Sequence, residues 1–291
     1  MLIGPLPGPA AIRAGGRNHR ENAMEFQAIL VETDGPLGLL TLNKPDRHNA
    51  LDEHLIGEIT EGLRQLEAEA QVRVVVLSAT GKSFCAGTDL QWQQRAARFT
   101  PSQNLQEARN LGDMLQTLNT LTKPVIARVQ GPAYGGGVGL VAACDIALAT
   151  YDALFALTDV KLGLLPALAA PYFQAAVGAR HARRYLLTGE RFSAAEAYRL
   201  GLIHELVPDE EALDDAVGEI VEKLLRNGPA ALGACKEMLA ALDGHPLDGD
   251  LVLESAARAT QVRLSAEGQE GIAAFLEKRK PAWAQTLDEP A

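Results

Sequence analysis

Two glycine-containing loops hold the residues with the clearest potential for chemistry. Residues 84–90 read FCAGTDL and residues 131–140 read GPAYGGGVGL, and each loop follows an apolar segment typical of a buried strand. Glycines let a backbone approach a ligand closely and leave its N–H groups accessible. Two such N–H groups aimed at one point would form an oxyanion hole, which stabilises negative charge developing on a carbonyl oxygen. Taken alone, both loops are also typical of tight turns.

Neither loop has the spacing of a nucleotide-binding motif. No Gly-Lys-Ser or Gly-Lys-Thr follows the glycines of residues 131–140, which excludes a phosphate-binding loop of that type. The spacing of the glycines also differs from the dinucleotide fingerprint. The glycine loops therefore match neither of these two nucleotide-binding motifs.

Alternating strands and helices must position the two loops. Apolar and β-branched runs predict strands at 28–32, 39–42, 72–78, 124–129, 146–149 and 153–157. Helical periodicity predicts helices over 55–66, near 106–121 and from about 139. Beyond residue 171 the pattern is almost wholly helical, with predicted helices near 209–227, 229–242, 248–265 and 266–279. The fold class is therefore mixed α/β followed by a helical region.

Composition and charge exclude several classes of protein. The chain has 291 residues, 47% of them hydrophobic, which is enough to bury a large core. Its 27 Lys and Arg against 37 Asp and Glu give a net charge of −10 with no basic stripe, so nucleic acid is not an expected partner. Charges interrupt every apolar run before it reaches the ~20 residues of a membrane span, so no membrane partner is expected.

Cysteine usage and the N-terminal segment bear on the compartment. The chain has three widely separated cysteines, Cys85, Cys144 and Cys235. They predict reduced, buried thiols and a reducing, cytoplasmic compartment. Residues 1–23 are rich in Gly, Pro, Ala and Arg and lack the apolar core of a signal peptide. We interpret them as a disordered tail, or as translation assigned upstream of a start at Met24, rather than as a targeting peptide.

Seven motifs occur in a fixed order over residues 25–283. They are LNKPDRHNAL (42–51), FCAGTDL (84–90), KPVIARVQGPAYGGGVGL (123–140), CDIALAT (144–150), FALTDVKLGLLPA (155–167), RRYLLTGERFSAAEAYRLGLIHELV (183–207) and EGIAAFLEKRKPAW (270–283). Together they resemble the enoyl-CoA hydratase/isomerase family, the crotonase superfamily. The resemblance implies a crotonase-like spiral of ββα turns over residues 24–205. It also implies a C-terminal helical region, 206–291, that builds homotrimers, often paired into homohexamers.

The resemblance also implies a substrate and its contacts. The substrate is an acyl-CoA thioester, with coenzyme A as part of the substrate and neither a separate cofactor nor a metal. Its carbonyl oxygen lies between the N–H groups of Thr88 and Gly136, next to Gly135. Further positions match contacts to coenzyme A or to the thioester: Arg47, Ala50, Ala86, Asp89 and Leu90. Lys278 resembles a residue that approaches coenzyme A from the same or a neighbouring subunit, although its position also fits a solvated helix surface.

The carboxylates depart from the family pattern. Typical hydratases use two glutamates, and this chain has Gly139 at the first position and Asp159 at the second. Adding water to a conjugated double bond requires activation of the water and protonation at C2, which two carboxylates do naturally. Asp159 is also typical of a short acid that caps a turn or pairs with Lys161. Glu107 and Asp113 are candidates for the missing carboxylate, although each fits a solvated helix face.

The predicted function is hydration of an enoyl-CoA with Asp159 as acid and base. The blocks GGGVGLVAACDIAL, ARRYLLTGERF and LQWQQRAARF resemble a bacterial branch acting on 3-methylglutaconyl-CoA-like esters, which favours a branched or glutaconyl-type acyl group. One alternative is an isomerase that moves a double bond from position 3 to 2 with Asp159 alone. The other is a non-catalytic acyl-CoA-binding homologue. Thioester hydrolysis is discounted because the branch that performs it needs a further Asp where this chain has Ala167.

Overall fold

The computed structural model of the chain describes residues 26–242 and 244–284. The segment 1–23, interpreted above as a tail or an upstream start, lies outside the described residues. Among those residues, no helix is long and apolar enough to cross a membrane.

Six strands form the main sheet, in the order β1-β2-β3-β4-β6-β9. They are β1 (Ile29–Asp34), β2 (Leu37–Leu42), β3 (Val74–Ala79), β4 (Val125–Val129), β6 (Ile146–Thr150) and β9 (Glu205–Val207). β1 pairs antiparallel with β2, and each later pair is parallel. Every residue of β3 and of β4 is buried, as expected for central strands covered on both faces. The strands predicted in this part of the chain are confirmed to within two residues at each end.

A second, three-stranded sheet holds the glycine loop of residues 131–140. It consists of β5 (Ala133–Tyr134), β7 (Leu154–Ala156) and β8 (Phe192–Ser193), in the order β5-β7-β8. β5 and β7 pair in parallel, so the chain leaving β5 and the chain leaving β7 emerge at the same edge. This edge carries the candidate site.

Helices pack on the main sheet and cover that edge. They are α1 (Glu53–Ala68), α2 (Leu90–Ala96), α3 (Pro101–Thr120), α4 (Gly136–Ala143), α5 (Ala170–Thr188) and α6 (Ala194–Leu200). α1 buries Leu55, Ile59 and Leu63 at helical spacing, as its periodicity predicts. α3 buries only residues of its C-terminal half, Met114, Leu115 and Leu118. Its N-terminal half therefore presents side chains to a less packed region.

Four helices complete the chain: α7 (Glu210–Leu225), α8 (Pro229–Leu242), α9 (Gly249–Leu264) and α10 (Ala266–Glu277). α7 packs against the main sheet, burying Leu213, Val217 and Val221 in the same cluster as β3 and β4 side chains. α8, α9 and α10 bury few side chains in the single chain. The expected division at residues 205 and 206 falls inside β9.

The cysteines differ from the prediction of three buried thiols. Cys85 is buried and Cys144 is half-buried, but Cys235 is exposed. The prediction is wrong for Cys235 because α8 buries only Gly233 and leaves its other faces to solvent. No disulfide joins these three cysteines, all of which are free.

Candidate active site

The two glycine loops contact each other through their backbones. The N–H of Cys85 donates to the Pro132 carbonyl at 3.2 Å, and the N–H of Tyr134 donates to the Cys85 carbonyl at 2.8 Å. Gly87 has φ +87°, and a Cβ on it would lie 2.8 Å from the Tyr134 carbonyl oxygen. Glycine is therefore required here both by conformation and by close approach.

The second loop is fixed on its other side by β7. The N–H of Gly135 donates to the Ala156 carbonyl at 2.8 Å, and Gly135 has φ +48°. α4 begins at the next residue, Gly136. A Cβ on Gly137 would lie 2.5 Å from the Cys85 carbonyl oxygen, so α4 starts in direct contact with the first loop.

Two backbone N–H groups remain free at this junction. In the described part of the chain, neither Thr88 nor Gly136 donates its N–H to an acceptor. Gly136 is the first residue of α4, and the first N–H groups of a helix have no partner within it and lie at its positive end. Both residues line a cavity of about 450 Å³. This is the arrangement expected of an oxyanion hole rather than of two ordinary turns.

Asp159 lines the same cavity. It begins a short 3₁₀ turn, Asp159–Leu162, that follows β7. Its Oδ2 atom is buried without a hydrogen-bond partner in the described structure, and it lies 3.5 Å from the position of a Cβ on Gly135. Asp159 forms no ion pair with Lys161, so the alternative of a structural pair with that lysine is not realised. Burial raises the pKa of the Asp159 carboxyl above its ordinary value.

The raised pKa of Asp159 predicts a stability effect. The pKa of the Asp159 carboxyl is higher in the native state than in the unfolded chain. Between these two pKa values the native state holds more protons than the unfolded chain, so the free energy of unfolding falls as pH rises. Asp159→Asn removes this buried charge and is therefore expected to raise Tm at about pH 7, with the gain shrinking as pH falls toward about 4. Thermal unfolding at both pH values measures this. An equal Tm for variant and wild type at both would contradict it.

The place of the missing glutamate is filled by other side chains. A Cβ on Gly139 would lie 3.0 Å from the Ala169 Cβ and 3.4 Å from the Leu115 Cδ1. Ala169 and Leu115 are themselves buried. The glycine at this position is thus part of the close packing between α3, α4 and the residue that precedes α5.

The walls of the cavity come from α2, from α3 and from the loop before α5. Most lining side chains there are apolar: Trp92, Ala96, Ala97, Ala108, Leu111, Leu164, Leu165, Pro166, Ala167, Leu168 and Ala169. Trp92 is 6% exposed and is the largest buried side chain of α2. The sequence interpretation assigned no role to Trp92 or to residues 164–169. The apolar run 162–169 was the available signal, but its periodicity did not indicate which way it faces.

The structure separates the two acids considered for the missing function. Glu107 is half-buried and lines the cavity with Asp159, together with the polar residues Gln93 and Asn104. Asp113 lies six residues further along α3, is exposed and is not among the lining residues. Of the two, only Glu107 is placed to reach a bound acyl group.

The residues expected to meet coenzyme A form a strip beside Thr88. The N–H of Ala86 donates to the His48 carbonyl at 2.9 Å, and the N–H of Asp89 donates to the Leu51 carbonyl at 2.8 Å. Residues 47–51, including Arg47 and Ala50, therefore run alongside residues 86–90, including Leu90. Asp89 caps α2 and lies 3.7 Å from the Arg47 guanidinium. Binding of coenzyme A along this strip stays a prediction.

Asn49 stabilises this strip and was missed by sequence reasoning. It is fully buried with φ +53°. Its Oδ1 accepts from the Lys44 N–H, and its Nδ2 donates to the carbonyls of Thr80 and Ser83 at 2.9 and 3.0 Å. Asn is one of the residue types that tolerate this left-handed backbone conformation. Asn49 thus ties the strip to the chain around β3.

Three further residues that could carry chemistry do not line the cavity: Lys278, Asp145 and Cys85. Lys278 ends α10 with φ +55°, is exposed and does not line the cavity, so its contact with coenzyme A also stays a prediction. A second cavity of about 510 Å³ contains the acid Asp145. That carboxylate already pairs with Lys236 at 2.5 Å and accepts from the Val125 N–H.

Cys85 is an unreactive core thiol, because burial raises its pKa to about 12.

Comparison with known proteins agrees with the geometry. Residues 32–286 match the family described as enoyl-CoA hydratase/isomerase. The chain belongs to this family. A crystal structure of an enoyl-CoA hydratase from Shewanella pealeana superposes with a TM-score of 0.87 at 38% identity, covering 89% of this chain and 97% of that chain. The α/β crotonase fold expected from the motifs is therefore confirmed.

Relatives of this family member carry more than one activity in their names. The crotonyl-CoA hydratase of Syntrophomonas wolfei is 32% identical over 264 residues, covering 88% of this chain and 98% of its own. The 1,2-epoxyphenylacetyl-CoA isomerase of Escherichia coli is 33% identical over 262 residues, covering 89% of this chain and 98% of its own. Membership of the family thus fixes the fold and the acyl-CoA class of substrate more firmly than the reaction.

Proposed function

We propose that the protein hydrates the conjugated double bond of an enoyl-CoA thioester. The observation that carries this proposal is the convergence of two unbonded N–H groups, from Thr88 and Gly136, with the buried Oδ2 atom of Asp159 in one cavity. The crotonyl-CoA hydratase among the relatives supports the same reaction. Coenzyme A is then part of the substrate, and we propose no separate cofactor or metal.

The proposed chemistry uses each group once. The thioester oxygen accepts hydrogen bonds from Thr88 and Gly136, which stabilise the enolate that forms as a water oxygen bonds to C3. Asp159 gives its proton to C2, and the proton that the water releases as it adds to C3 restores the Asp159 carboxyl, so that the product is the 3-hydroxyacyl thioester. Fixed backbone donors require little reorganisation, and loss of one such donor typically lowers the rate ~10²–10³-fold.

The charges around the cavity favour an uncharged acyl group. Two carboxylates, Asp159 and Glu107, line it, and no Lys, Arg or His does so among the described residues. A glutaconyl-type acyl group would bring a further carboxylate into this cavity, where like charges repel and no cation compensates. Of the two acyl types considered, we therefore propose a branched or simple uncharged group. This narrows the substrate class without changing the reaction.

Matched substrate pairs test this preference. 3-Methylglutaconyl-CoA differs from 3-methylcrotonyl-CoA only by a free carboxylate at the end of the acyl group. Glutaconyl-CoA differs from crotonyl-CoA in the same way. We expect kcat/KM for the uncharged member of each pair to be higher by about tenfold or more, because like-charge contacts cost several kcal/mol. Loss of conjugated-thioester absorbance measures the rates. Faster hydration of the glutaconyl esters would overturn the preference for an uncharged acyl group and would support a glutaconyl-type substrate.

A double-bond isomerase is the second candidate, and one observation favours it. Gly139 carries no side chain, which leaves Asp159 as the single carboxylate at a recognised family position. One carboxylate suffices to move a proton between C2 and C4. Products formed from matched 2-enoyl and 3-enoyl thioesters separate the candidates: a hydratase converts the 2-enoyl ester to the hydroxyacyl ester, whereas an isomerase only converts the 3-enoyl ester. No turnover of either ester despite binding would indicate the non-catalytic homologue.

We also propose that α8, α9 and α10 assemble copies of this chain into homotrimers or homohexamers. In the single chain these helices leave large apolar side chains exposed: Leu239, Val252, Leu253, Leu264, Ile272, Phe275 and Leu276. Phe275 is 84% exposed. Large apolar side chains exposed on neighbouring helices are typical of protein interfaces, and a second copy offers the same apolar face.

A further inference from the structure

One face of α3 lines the acyl cavity. Asn104, Glu107, Ala108 and Leu111 all belong to the cavity wall, and their spacing of three, one and three residues places them on one side of the helix. Thr100 caps the start of α3 by accepting from the Gln103 N–H, and Pro101 is its first residue. The position of Glu107 is thus set two turns into a helix with a fixed beginning.

The Glu107 carboxylate has no hydrogen-bond or ion-pair partner, within the residues that the structure describes, that would give it a role in stability. Within residues 26–242 and 244–284 its carboxylate makes neither a hydrogen bond nor an ion pair, although it is half-buried. Two acids that contact α2 are engaged by contrast: Asp89 accepts from the Trp92 N–H at 2.8 Å, and Glu53 pairs with Arg95 at 2.7 Å. A free carboxylate on an otherwise mostly apolar wall points to a role with substrate.

The structure assigns Glu107 to the second proton transfer: we propose that it activates the water that adds to C3, while Asp159 handles the proton at C2. This inference rests on the proposed hydratase function. Position 139 is a glycine, and even a Cβ there would lie 3.0 Å from the Ala169 Cβ, so α4 supplies no carboxylate to this site. Glu107 approaches the same cavity from α3 instead.

The proton balance of the step closes without a further reactant. The Glu107 carboxylate takes one proton from water as the water oxygen bonds to C3. The electron pair of the double bond moves onto the thioester oxygen, held by Thr88 and Gly136. Asp159 gives its proton to C2 as the enolate collapses, and it is reprotonated by the proton that Glu107 holds. One water has then been added, and both carboxyl groups are restored.

The test uses Glu107→Gln, with Asp113→Asn on the same helix as the matched control. We expect Glu107→Gln to lower kcat for hydration of crotonyl-CoA by about 10²–10⁴-fold, the usual contribution of a general base. Asp113→Asn is expected to remain within about twofold of the wild type, because Asp113 is exposed and outside the cavity.

A second measurement separates catalysis from a structural effect. Exchange of the C2 hydrogen of butyryl-CoA in ²H₂O needs only the oxyanion hole and Asp159, so Glu107→Gln is expected to retain it. Hydration by Glu107→Gln equal to that of Asp113→Asn would overturn the assignment, and so would loss of C2 exchange along with hydration. A wild type that exchanges C2 hydrogen but does not hydrate would instead overturn the proposed function.

Discussion

Asp159→Asn is expected to lower kcat for hydration of crotonyl-CoA by about 10²–10⁴-fold, the range that a general acid or base usually contributes. Asparagine has nearly the same shape but cannot deliver a proton to C2. The Oδ2 atom of Asp159 is buried and accepts no hydrogen bond in the described structure, so it is available to exchange a proton with the substrate. KM is expected to change little, because the donors at Thr88 and Gly136 remain.

Asp152→Asn is the matched control, since Asp152 lies in the exposed turn between β6 and β7. Initial rates from the loss of conjugated-thioester absorbance give kcat and KM for both variants. A fall in activity of similar size in both would point to a general effect of lost acidic charge. Full activity of Asp159→Asn would remove Asp159 from the mechanism.

Gly137→Ala is expected to damage both stability and activity. The added Cβ would lie 2.5 Å from the Cys85 carbonyl oxygen and 2.9 Å from the Cys85 Cβ, and both residues are buried. Overpacking of this kind typically costs ~1–3 kcal/mol. Relief of the contact moves the start of α4 away from the first glycine loop, which separates the Gly136 and Thr88 donors. We therefore expect kcat to fall as well, by the ~10²–10³-fold that a lost oxyanion donor costs.

Gly57→Ala provides the opposite case. Gly57 lies on the exposed face of α1, and a Cβ there meets no atom within 4 Å. Replacing a helical glycine by alanine in open space stabilises by about 0.5–1 kcal/mol. Urea unfolding of both variants measures the two free-energy changes. A Gly137→Ala variant as stable and active as Gly57→Ala would show that the loops need not be in contact.

The central strands could be predicted because their residues follow a simple pattern of apolar and β-branched side chains. Val74–Ala79 and Val125–Val129 are apolar runs interrupted only by Ser78 and by Arg128, which suit central strands that are buried on both faces. The two-residue strands β5 and β8 could not be predicted, because so short a segment carries no periodicity. These two strands form because each pairs with β7, a segment distant in the sequence.

Helix boundaries depended on capping signals rather than on periodicity. The apolar spacing predicted a helix near 106–121, whereas α3 begins at Pro101. Thr100, Pro101 and Gln103 form a capping box with proline at the first helical position, and this signal was present in the sequence. The early start matters because it adds the turn that brings Asn104 to the cavity wall.

The site was partly predictable, and the limit is physical. The motifs identified Thr88, Gly136 and Asp159, and the structure brings all three to one cavity. Sequence spacing could not separate Glu107 from Asp113, since both are acids on one amphipathic helix and only packing determines which one faces the cavity. Nor could it show that Ala169 and Leu115 occupy the space beside Gly139.

Binding of the thioester oxygen by Thr88 and Gly136 is tested most directly by infrared spectroscopy of bound crotonyl-CoA. The slow Asp159→Asn variant holds the substrate unreacted, and a ¹³C label at the thioester carbonyl isolates its stretching band. Two hydrogen bonds from fixed N–H donors are expected to shift this band to lower frequency than in free crotonyl-CoA. A bound carbonyl that absorbs at the same frequency as the free thioester would contradict an oxyanion hole at this junction.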